Sequence, residues 1–512
     1  MNDRSTRPET PFLVTLALGA CFGAAACGGA DETPPEQPVA SGGFTALQPD
    51  VFADPGAWPN AWADFDGDGD LDLFVGFSNR PNRLYRNDRG TFRDVAEALG
   101  LAVPEPTRAA AWGDYDLDGD PDLYVGFGAD GPSNRLYRND RERGFVDATA
   151  EAGLDHAGET RQPAFIDYDG DGDLDLFVAF RDGPNRLARN DGGTFTDVTE
   201  ASGIGDPRRT VGAAWFDMDG DGDLDLFVAN QEGDEDGFFR NRGDGTFEDV
   251  APALGMSQPG RTEEQGSVGV ALGDYDNDGD VDVFVASYGP DVLWQNQGDG
   301  TYTNVAAGTA LAGDHHSVAA AWGDRDNDGW LDLYVGTFLS AEPEAADYLF
   351  RNDRGTFVDD TPEAMRAKGA SHGVAWADYD IDGDLDLALA NVTAGGSHPL
   401  YRNELDPIAR GRSLHVVAAD GQGRWTRAGA LITLRSEAAG WVTTRVLDSG
   451  GGYNAQGLQP AHFGIPPDAG LLSVTVTWFE RGETRSSTAS GVDPARFRTQ
   501  WLVLRLAVQG GS

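Results

Sequence analysis

Asp64-Phe65-Asp66-Gly67-Asp68-Gly69-Asp70-Leu71-Asp72 places five carboxylates within nine residues. The pattern Asp-x-Asp-x-Asp-Gly-x-x-Asp starts again at Asp114, Asp167, Asp217, Asp274, Asp324 and Asp378, at intervals of 50, 53, 50, 57, 50 and 54 residues. A period near 50 belongs to a propeller or solenoid, whose units cannot bury their faces alone. Two residues before each motif stands a large apolar side chain: Trp62, Trp112, Phe165, Trp215, Leu272, Trp322 or Trp376. A β-run follows, such as Leu71 to Val75. Next come a second strand signal (Leu84-Tyr85-Arg86-Asn87, recurring at Leu136 and Leu349), a glycine turn and Thr91-Phe92. Four short strands per unit predict an all-β fold, a seven-bladed β-propeller. The seventh unit stops at Leu400-Tyr401-Arg402-Asn403 without its Gly-Thr-Phe strand, and Gly43-Phe44-Thr45 supplies an orphan copy. Pairing a strand near Phe44 with Leu400 to Asn403 would close the ring and leave no open edge.

Carboxylates this close repel one another, so a divalent counter-ion is implied. Oxygen donors without His or Cys suit Ca²⁺ or Mg²⁺ rather than Zn²⁺ or copper, and Ca²⁺ is preferred because it accepts more oxygens in a looser arrangement. Side chains at positions one, three, five and nine and the carbonyl at seven form the expected shell, and glycine at six permits the reversal. Position seven is Asp in six copies but Trp330 in another, as a carbonyl ligand allows. The candidate metal residues of the first three units are Asp64, Asp66, Asp68, Asp70, Asp72; Asp114, Asp116, Asp118, Asp120, Asp122; and Asp167, Asp169, Asp171, Asp173, Asp175. Those of the last four are Asp217, Asp219, Asp221, Asp223, Asp225; Asp274, Asp276, Asp278, Asp280, Asp282; Asp324, Asp326, Asp328, Trp330, Asp332; and Asp378, Asp380, Asp382, Asp384, Asp386. An EF-hand is excluded, since its loop needs Glu at position twelve, where Val75 stands inside a strand.

These repeats resemble the FG-GAP/VCBS family, as in the integrin α-type propeller, over roughly residues 42 to 405. The resemblance implies Ca²⁺ loops between the first two strands of each blade. After residue 407 the repeat ends and the charge inverts, with eleven Arg against seven Asp and Glu in a chain of net charge −47. Alternating runs at Leu414 to Ala418, Ala430 to Leu434, Val442 to Leu447, Val474 to Trp478 and Trp501 to Leu506 predict a small β-sandwich. Ala428-Gly429-Ala430, Gly450-Gly451-Gly452-Tyr453, His462-Phe463-Gly464 and Val474 to Trp478 together resemble the ASPIC/UnbV domain, which follows such propellers in the cartilage acidic protein family. The sequence departs from that family at Phe479, where a proline usually follows the Trp.

So acidic a chain is ill suited to nucleic acid or anionic lipid, which need clustered cations. Arg4 and Arg7 precede an apolar run from Phe12 to Ala26 that fits a secretory leader and is too short to span a bilayer. The run ends in Ala24-Ala25-Ala26-Cys27, which resembles a bacterial lipobox with Cys27 lipidated; Cys21 is the other option. The organisation read is a leader with lipobox at 1–27, a flexible linker at 28–41, the calcium-binding propeller at 42–407 and an ASPIC/UnbV-like β domain at 408–512. The expected location is the outer membrane or cell surface, otherwise the periplasm or medium, with a lipid anchor the only membrane attachment and the chain a monomer.

Loops before each first strand open at the end opposite the ion loops and carry dissimilar residues: Trp58, Arg108, Arg161, Arg209, His316 and His372. Arg108, Arg161 and His372 are the candidate partner-binding residues, for an unidentified protein or glycan. No catalytic residue is assigned. Gly369-Ala370-Ser371-His372-Gly373 matches a nucleophile motif but falls in a propeller loop rather than a strand-to-helix elbow. Adjacent His315 and His316 would point to opposite faces of a strand. The reading is an exported adhesion or binding module with structural calcium; the alternative is an extracellular hydrolase or lyase built on a propeller.

Overall fold

Each acidic motif forms the turn of a β-hairpin. The strand Ala57–Ala63 ends just before Asp64, and Asp72–Phe77 begins on the motif's ninth residue. Ala63 faces Asp72 across the pair, so positions one to eight make the reversal. The glycine at position six has positive φ in all seven loops, from 93° at Gly329 to 101° at Gly279 and Gly383, a region closed to most side chains. Two further strands, such as Arg83–Asn87 and Phe92–Asp94, complete each sheet.

A computed structural model of the chain describes residues 43–129, 131–338, 346–366, 370–393, 396–447 and 453–506. The leader with Cys27 and the linker 28–41 lie outside the described residues. Seven sheets of the repeat pattern are present. Their first strands touch in sequence order, and the seventh, Ser371–Ala377, meets the first, Ala57–Ala63, so the sheets form a closed seven-bladed propeller around a central channel. The ring closes as expected: Gly43–Leu47 pairs antiparallel with Leu400–Glu404, Phe44 opposite Asn403 and Leu47 opposite Leu400.

The apolar residue two before each motif wedges between blades. Trp62, Trp112 and Trp215 are at most 1% exposed. The indole N–H of Trp112 donates to Ala61 O of the preceding blade (3.3 Å), that of Trp322 to Ala271 O (3.2 Å) and that of Trp376 to Ala321 O (3.2 Å). At Trp112, Trp322 and Trp376 one side chain thus fills the inter-blade space and satisfies its own polar atom there, whereas the buried Trp62 indole nitrogen has no such partner.

Beyond residue 412 two sheets face each other. One contains Trp441–Val446, Leu431–Ser436, Leu472–Glu480 and Glu483–Val492; the other contains Ala461–Gly464, Ser413–Ala419 and Leu502–Arg505. Leu414, Val416, Ile432, Leu434, Phe463, Val474 and Val476 fill the space between them. This is the β-sandwich that the alternating runs predicted.

One segment of the C-terminal part was not legible as an element. Ala455–Gln456 pairs in parallel with Ala110 and Ala111 on the first strand of the second blade. Leu458 N–H donates to Trp62 O (2.7 Å), Ala110 N–H to Asn454 O (3.0 Å), and the Gln456 amide both donates to and accepts from the Phe165 backbone (2.9 and 2.7 Å). The chain from Tyr453 to Gln459 therefore occupies the channel and satisfies backbone groups that the innermost strands would otherwise leave unpaired. Among the described residues no helix is long and apolar enough to cross a membrane.

Candidate metal centres

The ninth Asp is the anchor of each loop. Asp72 is 1% exposed; its Oδ2 accepts the Phe65 N–H (3.2 Å) and its Oδ1 the Asn87 N–H (2.8 Å). The same two bonds recur at Asp122 from Tyr115 and Asn139, at Asp175 from Tyr168 and Asn190, and at Asp282 from Tyr275 and Asn296. The first Asp folds the turn onto itself: Asp64 accepts N–H groups from Asp68 (3.1 Å) and Gly69 (3.0 Å), and Asp324 those of Asp328 and Gly329 (3.1 and 2.8 Å).

Carboxylate oxygens at positions one, three and nine then lie within 4.8 Å of one another in Asp64/Asp66/Asp72, Asp114/Asp116/Asp122, Asp167/Asp169/Asp175, Asp217/Asp219/Asp225 and Asp274/Asp276/Asp282. Position five sits beside this group: Asp68 accepts the Asp70 N–H (3.0 Å) and faces Arg86 (3.5 Å). Position seven turns its side chain toward the neighbouring hairpin, with Asp70 accepting Arg89 N–H (3.1 Å) and Asp173 accepting Gly192 N–H (2.8 Å). Trp330 takes that place in the sixth loop, its own N–H on Asp328 (2.8 Å).

The donor set fits a hard divalent cation on two observations. Buried oxygens at position three of four loops (Oδ1 of Asp66, Asp276, Asp326 and Asp380) and at position one of two (Asp114 and Asp167) have no hydrogen-bond partner, although buried polar atoms are almost always satisfied. Burial, reinforced by neighbouring carboxylates, pushes the Asp72 and Asp282 carboxyls up to about 9, and burial likewise pushes Asp114, Asp167 and Asp274 to about 7. A cation at the centre of each cluster would remove both costs.

The asparagine that ends the Leu-Tyr-Arg-Asn run was not singled out from the sequence. Its side chain ties each loop to the loop of the preceding blade. Asn87 Nδ2 reaches Leu71 O and Tyr379 O (3.1 and 2.9 Å), Asn190 reaches Leu174 O and Tyr115 O (2.9 and 2.8 Å), and Asn352 reaches Leu331 O and Tyr275 O (3.0 and 2.8 Å). In the fifth blade Tyr302 makes the link instead, its hydroxyl donating to Met218 O (3.1 Å). The signal was the recurrence of Asn at one place in every repeat.

The C-terminal sheets rest on the end of the propeller that carries the acidic loops. Thr444 N–H donates to Asp274 (2.9 Å), Thr444 Oγ1 to Gly279 O (2.9 Å) and Arg424 to Leu117 O (2.9 Å). Arg427 lies 3.6 Å from Asp167, and His415 lies 3.3 Å from Asp378. Arg445, 9% exposed, stands near Asp274 and Asp324, and burial lowers its guanidinium to about 10 against the pull of those two acids.

The candidate partner-binding residues gather at the tip of the channel segment. Arg108 lies over the Trp58 ring, 3.2 Å from its centroid, and donates to the Tyr453 hydroxyl (3.2 Å). His372 packs against Trp58 (4.5 Å), Phe338 (5.2 Å) and Tyr453 (5.6 Å). Arg161 and His372 are each 3% exposed, which leaves Trp58 and Arg108 as the half-exposed members of this group. Arg209 is exposed and paired with Glu232 and Asp234, and His316 stacks on Tyr288 at 4.5 Å. His315 turns instead to Asp291 (3.2 Å). Ser371, the serine of the nucleophile-like motif, is fully buried between Asp347 (2.5 Å) and Asn391 (2.7 Å).

The FG-GAP-like repeat matches residues 64–125, 126–178, 167–228, 217–285 and 274–335, and the ASPIC and UnbV family matches residues 422–494. Human cartilage acidic protein 1 is 28% identical over 272 residues, 49% of this chain and 38% of that protein; the mouse protein is 28% identical over 271 residues, covering 49% and 39%. The match thus spans well under half the length of these relatives. A crystal structure of BBS1N in complex with ARL6DN aligns with TM-score 0.44 and 14% identity, covering 71% of this chain and 97% of that one.

Proposed function

We propose, for a chain that belongs to the FG-GAP-like repeat family and carries an ASPIC and UnbV domain, that it is an exported calcium-bearing module that binds a protein or glycan. The observation that carries this reading is the set of buried, partnerless carboxylate oxygens in the blade loops. Ca²⁺ suits them better than Mg²⁺ because it accepts six to eight oxygens in a loose arrangement, whereas Mg²⁺ demands an octahedron and keeps its waters. Asp64, Asp66, Asp72 and their equivalents would hold the ion, with position five and the carbonyl of position seven beside them. The ion supplies positive charge that keeps each turn closed, and the loops fix the hairpins that set blade geometry.

Support for export comes from the leader-like sequence ending at Cys27, and that Cys is the proposed lipid attachment point. Support for binding rather than catalysis comes from Ser371, whose hydroxyl is committed to structural bonds. The ligand face is the end of the channel where Trp58, Arg108 and Tyr288 stay partly exposed. Elemental analysis of calcium-replete protein, with thermal melts in Ca²⁺ and in EDTA, tests the ion role: bound calcium and a lower midpoint in EDTA are expected, and no bound alkaline-earth metal would overturn it. Glycan and protein arrays probed with the mature chain in Ca²⁺ test the binding role, and turnover of an array polymer would favour a hydrolase or lyase.

A further inference from the structure

Arg108, Arg161, Arg181 and Arg209 stand near one another around the channel mouth, and three of them have carboxylate partners. Arg161 pairs with Glu159, Arg181 with Glu159 and Glu232, and Arg209 with Glu232 (2.9 Å) and Asp234 (3.1 Å). Arg108 has no ion pair among the described residues. Its contacts are the Trp58 face and the Tyr453 hydroxyl, and its Nε is buried without a hydrogen-bond partner. Arg161, 3% exposed, also has a buried Nε without a partner. Burial and the nearby Arg161 lower the Arg108 guanidinium to about 9, as for a cation short of counter-charge. A half-exposed guanidinium with its Nε buried, beside a second guanidinium and without a carboxylate of its own, is stabilised by an anion that completes it.

We infer that the channel mouth is a carboxylate-binding site, in which Arg108, backed by Arg161, takes the acid group of a small singly charged ligand whose body lies against Trp58, Tyr288, His316 and Phe338. These four rings are half-exposed: Trp58 lies against the guanidinium, and the aromatic surface runs on from it ring to ring, through His372 to Phe338 (5.2 Å), then Tyr288 (6.4 Å) and His316 (4.5 Å). Arginine's planar fork matches a carboxylate in two-point contact. A single charge is specified because one guanidinium lacks a partner and because the chain's net charge of −47 repels polyanions. The inference rests on the reading of this end as the ligand face.

The test uses the full mature chain in Ca²⁺ at physiological salt, with calorimetric titration and thermal midpoints. The probes are sodium acetate, sodium D-glucuronate, sodium benzoate and inorganic phosphate at matched ionic strength. A saturable response to at least one carboxylate, with a raised midpoint, is expected, and phosphate should bind more weakly. R108Q should weaken carboxylate binding at least about tenfold, the loss typical of one charged hydrogen-bond pair. Tyr453→Phe separates this from a role in pinning the channel segment: it frees an Arg108 N–H, so carboxylate affinity should hold or rise, whereas a merely structural Arg108 predicts that both variants fall together. No saturable response to any carboxylate, an equal response in R108Q, parallel loss in both variants, or tighter phosphate binding overturns the site. An array partner that still binds R108Q while carboxylate titrations are flat removes the carboxylate site and leaves the ligand face standing.

Discussion

Replacing Asp282 by Asn should change sign with the metal. Asp282 is fully buried, and its two oxygens accept N–H groups from Asn296 (2.8 Å) and Tyr275 (3.2 Å). Burial, with Asp276 and Asp274 adding repulsion, raises its carboxyl from 3.8 to about 9 in the metal-free fold. Because the folded value exceeds the unfolded one, this group favours folding most in acid, and that contribution is lost as pH climbs toward the folded value. At pH 7 the difference amounts to roughly three pH units, or about 4 kcal/mol of destabilisation. Asn has no proton to take up on folding and so escapes that cost, but it turns one amide –NH₂ toward a backbone N–H, which costs about 1–3 kcal/mol. In EDTA, D282N should therefore raise stability by about 1–3 kcal/mol. In calcium the same variant loses a charged ligand and strands the N–H, and stability should fall by roughly 3 kcal/mol. Urea midpoints of the full chain at pH 7, in excess Ca²⁺ and in EDTA, read both numbers. A drop of equal size in the two buffers would show Asp282 to be only a hydrogen-bond acceptor, and the metal assignment of that loop would go.

The metal-free chain should melt at falling temperature as pH rises from 5 to 8, since burial holds Asp64 near 6 and Asp114, Asp167 and Asp274 near 7, and saturating Ca²⁺ should flatten that slope in scanning calorimetry. Phe44, 7% exposed and packed 6.1 Å from the Trp376 ring, closes the last blade, so F44A should cost about 3–5 kcal/mol in urea melts. Q456A deletes both bonds to the Phe165 backbone and should cost about 1–3 kcal/mol, with faster amide exchange along Thr160–Ile166. N190A unties the second and third loops; if the Asn ring couples the ion sites, calorimetry should find calcium affinity lowered in both loops rather than one.

Much of the fold was legible because its information is local or periodic. Carboxylate spacing within nine residues, a wedge residue two before it and β-alternation after it can be counted along the chain, and the Phe44 closure followed from a missing strand at one end and a spare one at the other. The recurrent Asn87 and its equivalents were visible as a repeat but not as a function, since their partners lie about 75 residues or more away, as Tyr115 O does from Asn190. Ser371 illustrates the reverse: a motif that matched in sequence is a buried structural node, because neighbouring Asp347 and Asn391 claim its hydroxyl.

By itself, then, the order of residues determined the blade, its number, the acidic loop and the sandwich that follows, because each is specified by contacts a few residues apart or by a pattern that repeats. Only the tertiary structure decided that Tyr453 to Gln459 enter the channel, that Arg108 meets a hydroxyl 345 residues away, and that Thr444 and Arg427 bear on the acidic loops. Those contacts join surfaces that are each complete as secondary structure. Their partners are chosen by shape, by unpaired backbone groups on the innermost strands and by leftover charge, none of which has a period along the chain.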